Sequence, residues 1–346
     1  MSMRTTNILK GLERTRLRGI FLLFALACSS SVNAVNLNYD NLSSLEEPIA
    51  TQLGEITFSL SGLVDAAILL ADAAGNQTSS DSFSVGNFQV QAETQLANSW
   101  TLGAAYFGSV DTADSADESY TENIALFVSG VWGTLAVGDV TGTVREQTRR
   151  RRGAGNGLLF FADELGTLES LGVSYNTRFG PSRWMVTADE EGNYEIGGSY
   201  QRPMGKKDYR FSLRWRDTEF LTSTHVQAIQ SQSLTMVAEL TYGSTVLDAG
   251  FGVEQLSVSQ AEVDRVYLNV GFGRKWGAWT SSAEVHVAET DAQSETSVAL
   301  GLRYDIARGL SANIGINSGD AAVSFADIEL LESDDTQGTF SIRYSF

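Results

Sequence analysis

The chain has 346 residues, with 24 basic against 42 acidic side chains and a net charge of −18. So acidic a chain has no general basic surface with which to hold nucleic acid. One cysteine, Cys28, two histidines, His225 and His286, and no HExxH, CxxC or GxSxG pattern leave no disulfide framework and no metal or nucleophile motif.

At the N-terminus Arg4, Lys10, Arg14, Arg16 and Arg18 precede an apolar run, Ile20 to Ala27, and a Val-Asn-Ala tripeptide ends at Ala34. This is the layout of a signal peptide, 1–34, cleaved after Ala34. The run is too short for a spanning helix, which needs ~20 residues. Ala25-Leu26-Ala27-Cys28 lacks the branched apolar residue that a lipidation site would place at Ala25. Cleavage removes Cys28, five basic residues and one acid, Glu13, taking the net charge from −18 to −22. Residues 35–54 form a polar periplasmic leader in which Ser44-Leu45-Glu46-Glu47 is a capping-box pattern for one helical turn.

From Glu55 onward no stretch is apolar enough for a transmembrane helix, and the chain instead alternates with period two. Sixteen segments are each near the ~10 residues that cross a bilayer as tilted strand. They are 55–69, 83–96, 100–108, 120–129, 133–139, 170–178, 183–189, 194–201, 209–216, 233–242, 246–257, 265–276, 279–288, 297–306, 312–317 and 337–346. Short links (97–99, 130–132, 179–182, 243–244, 277–278, 308–310) alternate with long polar ones (71–82, 109–119, 217–232, 318–336), and the link 190–193 is short for its side. Short turns on one side and long loops on the other describe a closed antiparallel transmembrane β-barrel, 55–346, with its short turns periplasmic. Pro48, Pro181 and Pro203 fall outside the strands, as a closed ladder demands. Trp100, Trp132, Trp184, Trp276 and Trp279 sit near short turns, half of an aromatic girdle.

The interval 141–169 does not alternate and reads as a long structureless loop, a feature uncommon without a function. It follows GVWGTLAVGD (130–139) and precedes SLGVSYNT (170–177). These flanks and the loop resemble the fifth and sixth strands and the pore-narrowing third loop of general bacterial porins. The closing alternation Phe340, Ile342, Tyr344, Phe346 resembles the assembly signal of outer-membrane barrel proteins. The resemblance implies a 16-stranded homotrimeric porin of the cell outer membrane that uses no cofactor, with Phe346 engaging the barrel-assembly machinery. Loop 141–169 would fold into the pore, and small hydrophilic solutes and ions would diffuse passively through it.

Parity assigns faces. Tyr209, Phe211, Leu213 and Trp215 point to lipid, which turns Arg210, Arg214 and Arg216 inward, since a cation on the lipid face costs ~2–4 kcal/mol at midplane. Arg303, Asp305 and Arg343 also face in, as do Glu93, Glu239, Asp248, Glu254 and Glu284. The candidate constriction comprises Arg145, Arg149, Arg150, Arg151, Arg152, Asp163 and Glu164 from the loop, facing Arg210, Arg214, Arg216 and Glu93 from the wall. General porins place acids on this loop and arginines opposite. Here the loop carries both signs, so selectivity does not transfer. The outer loops are rich in acids such as Asp114, Asp117, Asp334 and Asp335, which would share divalent cations with lipopolysaccharide.

Other readings are weaker. Gly153-Ala-Gly155-Asn-Gly157 has the look of a phosphate loop but follows arginines rather than a strand. Ser282, Glu284 and His286 share an inward face through period-two geometry alone, so catalysis is not expected. The alternative within the same build is a substrate-selective channel for an anionic nutrient, phosphate or a dicarboxylate.

Overall fold

The computed structural model describes residues 48–346 apart from 74–76, 112–118, 141–142, 151–153, 155–167, 169–170, 222–227, 259–260, 291–292, 326–327 and 334–335. In chain order the strands are β1 (Ile49–Leu53), β2 (Ile56–Ala73), β3 (Gln77–Gln95), β4 (Thr101–Asp111), β5 (Ser119–Gly130), β6 (Gly133–Asp139), β7 (Leu171–Phe179), β8 (Ser182–Asp189), β9 (Tyr194–Met204), β10 (Lys207–Leu221), β11 (Ala228–Tyr242), β12 (Thr245–Val258), β13 (Ala261–Trp276), β14 (Trp279–Thr290), β15 (Ser294–Ala307), β16 (Leu310–Phe325), β17 (Ile328–Ser333) and β18 (Thr336–Ser345). One helix, α1 (Thr143–Thr148), stands between β6 and β7.

Strands β2 to β16 and β18 close into a ring of sixteen antiparallel neighbours, because β18 pairs with β16 on one side and β2 on the other. The expected barrel is the observed one. All sixteen predicted segments become strands of the ring, and period two divides their side chains as expected. Val64, Ile68, Leu102, Ile124, Leu126, Phe211, Val270, Leu300 and Phe340 stand exposed outward, while Asp65, Arg214, Arg216, Glu239, Glu254 and Asn313 are buried inward. An apolar outside and a polar inside invert the arrangement of a soluble protein and suit hydrocarbon around a hydrated interior.

Several turns are two-residue hairpins that place glycine first: Gly54, Gly180, Gly205, Gly243 and Gly277 all have φ between 57° and 67°. Positive φ at the first position alone is what a II′ turn needs, and its twist matches that of the strands it joins. The short outer link 190–193 is held by Asp189, whose Oδ1 accepts from the N–H of Glu191 (3.0 Å) and of Asn193 (2.9 Å).

Four expectations need correction. The outer links 71–82, 217–232 and 318–336 are shorter than expected, because β2 runs to Ala73, β3 starts at Gln77, β10 runs to Leu221, β11 starts at Ala228 and β16 runs to Phe325 before β17 folds back on it. Above the bilayer both faces of a strand are wet, so the ladder continues where the alternation of side chains stops. Loop 141–169 is not structureless, since it holds α1. The end of the leader is a strand: β1 pairs with the start of β2, Ile49 opposite Leu60 and Leu53 opposite Ile56. Pro203 lies within β9, where β8 has already ended at Ser182 opposite Tyr200, so its missing N–H interrupts no ladder on that edge. The capping-box residues 44–47 lie outside the described residues.

The closing seam carries a cross-strand ion pair. Arg343 of β18 donates Nε–H to Asp65 Oδ2 of β2 at 2.9 Å and a second N–H to the same oxygen, directly opposite in register. Asp65→Ala is expected to lower the stability of the detergent-folded barrel by about 1–3 kcal/mol, the usual loss for a hydrogen bond to a charged group. Urea-titrated, heat-modifiable gel mobility reads this; an unchanged midpoint would mean that the backbone ladder alone holds the seam.

Candidate functional site

The inward faces of β10 to β15 form a wall of stacked polar rows. One row runs Arg210, Glu239, Asp248, Gly271, Glu284, Ala299, each residue directly opposite the next. Glu239 and Asp248 are like charges in direct cross-strand register, an unfavourable pairing unless cations attend it. Arg210 supplies one, its Nη1 lying 2.6 Å from Glu239 Oε2. The other comes from the loop: Arg150 donates Nη1–H to Asp248 Oδ1 at 2.5 Å and Nη2–H to Glu284 Oε2 at 2.9 Å. All three side chains are about 5% exposed, so each charge is desolvated and depends on its partner.

The loop is laid along this wall at several further points. Val144 and Thr148 of α1 press on Gly197 of β9, where a Cβ would meet Val144 Cγ1 at 2.5 Å. Arg210 donates to the carbonyls of Gln147 (2.7 Å) and Arg149 (2.9 Å) at the end of α1, and Ser212 donates to that of Thr148. A cation at the C-terminal carbonyls of a helix is favourably placed. Arg183 of β8 donates to Gln147 Oε1 at 2.5 Å. Beyond Arg150, the Ala154 N–H donates to Ser282 Oγ at 2.8 Å, and a Cβ on Gly301 would lie 1.7 Å from the Ala154 carbonyl oxygen. Gly197 of β9, Gly250 of β12 (a Cβ there would meet Arg150 Cδ at 3.0 Å) and Gly301 of β15 thus mark the track of the loop, whose side chains fill the first two places and whose backbone fills the third.

A second cluster follows nearer the outer end. Arg216 donates to Ser231 Oγ (3.1 Å) and Glu254 Oε1 (3.2 Å). Arg265 bridges Glu254 (3.3 Å) and Glu295 (3.2 Å) and lies over the Tyr267 ring, 5.1 Å from its centroid. His286 completes the set, with Nδ1 2.5 Å from Asn269 Oδ1 and Nε2 3.4 Å from Glu295 Oε2. Arg216, Glu254, Arg265, His286 and Glu295 are all fully buried or nearly so.

The candidate residues therefore separate. Arg150 and Arg210 meet at the acid row. Arg145 sits half-buried in α1 and Arg149 just past it. Arg214 is buried between Gly197 and Thr235 in register, and Arg216 belongs to the outer cluster. Glu93 stands apart on β3, accepting from Gln91 Nε2 at 3.0 Å. Arg151, Arg152, Asp163 and Glu164 lie outside the described residues, as do most acids of the outer loop tips. Ser282, Glu284 and His286 each serve a different partner: Ala154, Arg150, and the pair Asn269 and Glu295. Among the described residues no group of three or more His, Cys, Asp or Glu converges as a metal site. Arg265 and Glu295 were missed, although Glu295 has the parity of Ser297 and needed only a strand drawn two residues longer.

No family model and no curated protein matches the chain. Solved structures do. An anion-selective porin from Comamonas acidovorans superposes with a TM-score of 0.63 at 15% identity, covering 84% of this chain and 100% of its own. OmpT of Vibrio cholerae, an outer-membrane protein in its trimer form, gives 0.64 at 14% over 84% and 99%. The chain has the porin fold. A variant of the Rh. blastica porin gives 0.55 at 15% over 84% and 100%, so the shared porin fold is carried by architecture at very low identity.

Arg150→Ala leaves Asp248 and Glu284 buried without their loop cation, a change costing about 3–5 kcal/mol in comparable buried pairs. The expected result is roughly tenfold faster tryptic cleavage within 141–169 while the barrel stays folded. Equal cleavage rates would show that the remaining contacts of α1 and Ala154 suffice to hold the loop.

Proposed function

We propose that this protein is an outer-membrane porin, a water-filled channel for passive diffusion of small hydrophilic solutes and ions, narrowed by loop 141–169. The observation that carries the reading is that residues 143–150 and 154 of the loop lie against the inner wall from β8 to β15, tied by Arg150 to an acid row that would otherwise repel itself. A closed structural barrel has no need of a chain segment anchored at intervals along its inner wall. The porin fold of the neighbouring structures supports the same conclusion, and the trimer form of one of them supports a homotrimer. The sequence layout of 1–34 supports a signal peptide and export, lipopolysaccharide with divalent cations is the expected surround of the acidic outer loops, and Phe346 remains the proposed contact for the assembly machinery.

Selectivity follows from charge pairing. Arg150 and Arg210 are each matched by wall acids, so these two arginines contribute little net field. The candidate constriction charges are then Arg145, Arg149, Arg151 and Arg152, set against Asp163, Glu164 and, on the opposite wall, Glu93. The reading in which arginines capture phosphate or a dicarboxylate is disfavoured to the extent that two of them are already committed.

Refolded 35–346 in a planar bilayer is expected to give large ohmic steps. Replacing Arg149, Arg151 and Arg152 by alanine should move the reversal potential in a salt gradient toward cation preference, and Glu93→Gln should move it the other way. Absence of steps would overturn the channel reading. Unchanged reversal potentials would remove these residues from the constriction.

A further inference from the structure

Across the lumen from the acid row, β2 to β5 present a recess of about 430 Å³. Its inward side chains are Ser61 and Leu63 of β2, Asn87 and Gln89 of β3, Phe107 of β4 and Asn123 of β5. Register places Ser61, Gln89, Phe107 and Asn123 in one row across four strands, with Leu63 and Asn87 in the next inward row. Ser345 of β18 is a seventh inward residue of the lining; Gly62, Phe88, Gly108 and Phe346, which also line the recess, have outward parity and alternate with the inward residues along the strands, so the polar side chains of the recess all lie on its lumen side. No side chain lining it is charged, and the nearest ions on β2 and β18, Asp65 and Arg343, are paired with each other. The volume falls within the range of small-molecule sites.

The amides of the recess are oriented. Gln89 donates Nε2–H to Gln91 Oε1 at 3.3 Å, and Gln91 donates Nε2–H to Glu93 Oε2 at 3.0 Å. A carboxylate only accepts, so Glu93 fixes the direction of the chain and turns the Gln89 carbonyl toward the recess. Asn87 and Asn123 add further amides and Ser61 a hydroxyl, while Phe107 and Leu63 supply an apolar face beside them.

We propose that this recess is a subsite for neutral polyhydroxylated solutes of monosaccharide size. Adjacent hydroxyls on a sugar ring are donors and acceptors at amide spacing, and the C–H face of the ring packs on a phenyl group. An anion gains nothing here to replace its hydration, because no positive charge lines the recess. The proposal rests on the open-channel reading and deepens it: the wall bearing the loop sets the electric field, and the opposite wall sorts uncharged solutes.

Glucose and gluconate share one carbon skeleton and are neutral and anionic. Glucose is expected to reduce the potassium chloride conductance of the refolded barrel saturably, and gluconate is not. The double variant Gln89→Leu with Asn123→Leu should raise the half-blocking glucose concentration about tenfold. Phe107→Leu, which preserves inward apolar bulk, should also weaken the block and serves if the double variant fails to show heat-modifiable folding. Equilibrium dialysis of labelled glucose against the detergent-folded barrel tests the subsite without conduction. A barrel that binds glucose yet passes no current would retain the subsite and lose the channel reading. A conducting barrel indifferent to glucose, or blocked equally by gluconate, would overturn the subsite and leave the channel.

Discussion

Every peptide N–H and C=O that crosses hydrocarbon has to find its partner in protein, and for a strand that partner is another strand. In this chain the requirement is met by β18 meeting β2, which leaves the ring without an edge. Closure removes the freedom of each strand to slip by one residue, because a slip would turn a whole file of side chains from lipid to lumen. Arg214 and Arg216 face inward for that reason before any partner is considered. The inside then collects the charges that the outside rejects, and the interior has to pair them.

That pairing couples two matters that are separable on paper, the position of the loop and the field in the lumen. The row Glu239, Asp248, Glu284 is a wall of acids that needs cations, and Arg150 arrives from a segment 98 and 134 residues away from the latter two. Here the loop brings a cation to an acidic wall. In the proposed channel, the guanidinium that holds the loop in place is thereby withdrawn from the service of passing solutes, and the same contact shapes the passage and quiets its charge.

Barrel, strand count and faces were legible in the sequence because a membrane imposes period two over about ten residues, and Tyr209 to Arg216 display it without interruption. What was not legible lies where that constraint lapses. Above the bilayer, β2, β10 and β16 continue through backbone pairing. Near the periplasmic end β1 is a strand of five residues that shows no pattern of its own. Pro203 was placed outside β9 by a rule that holds for doubly paired positions, and it occupies a singly paired one. Arg150 was singled out as part of a run of like charges, yet its partners sit on strands that nothing local connects to it. Parity tells which way a side chain points, and register across several strands tells what it meets.

The edge of β2 is shared by two segments. From Asp72 to Leu63 it pairs with β18, Phe346 continues the ladder to Gly62, and from Leu60 to Ile56 it pairs with β1. Both partners run in the same direction, so Phe346 and Ile49 face each other end to end along one line, as halves of a single strand with a break between them. The polypeptide of the barrel is therefore nearly a circle. A permuted chain opened at an outer hairpin and joined from Phe346 to Ile49 through a short linker would trace the same ladder, with its termini moved to the opposite side of the membrane.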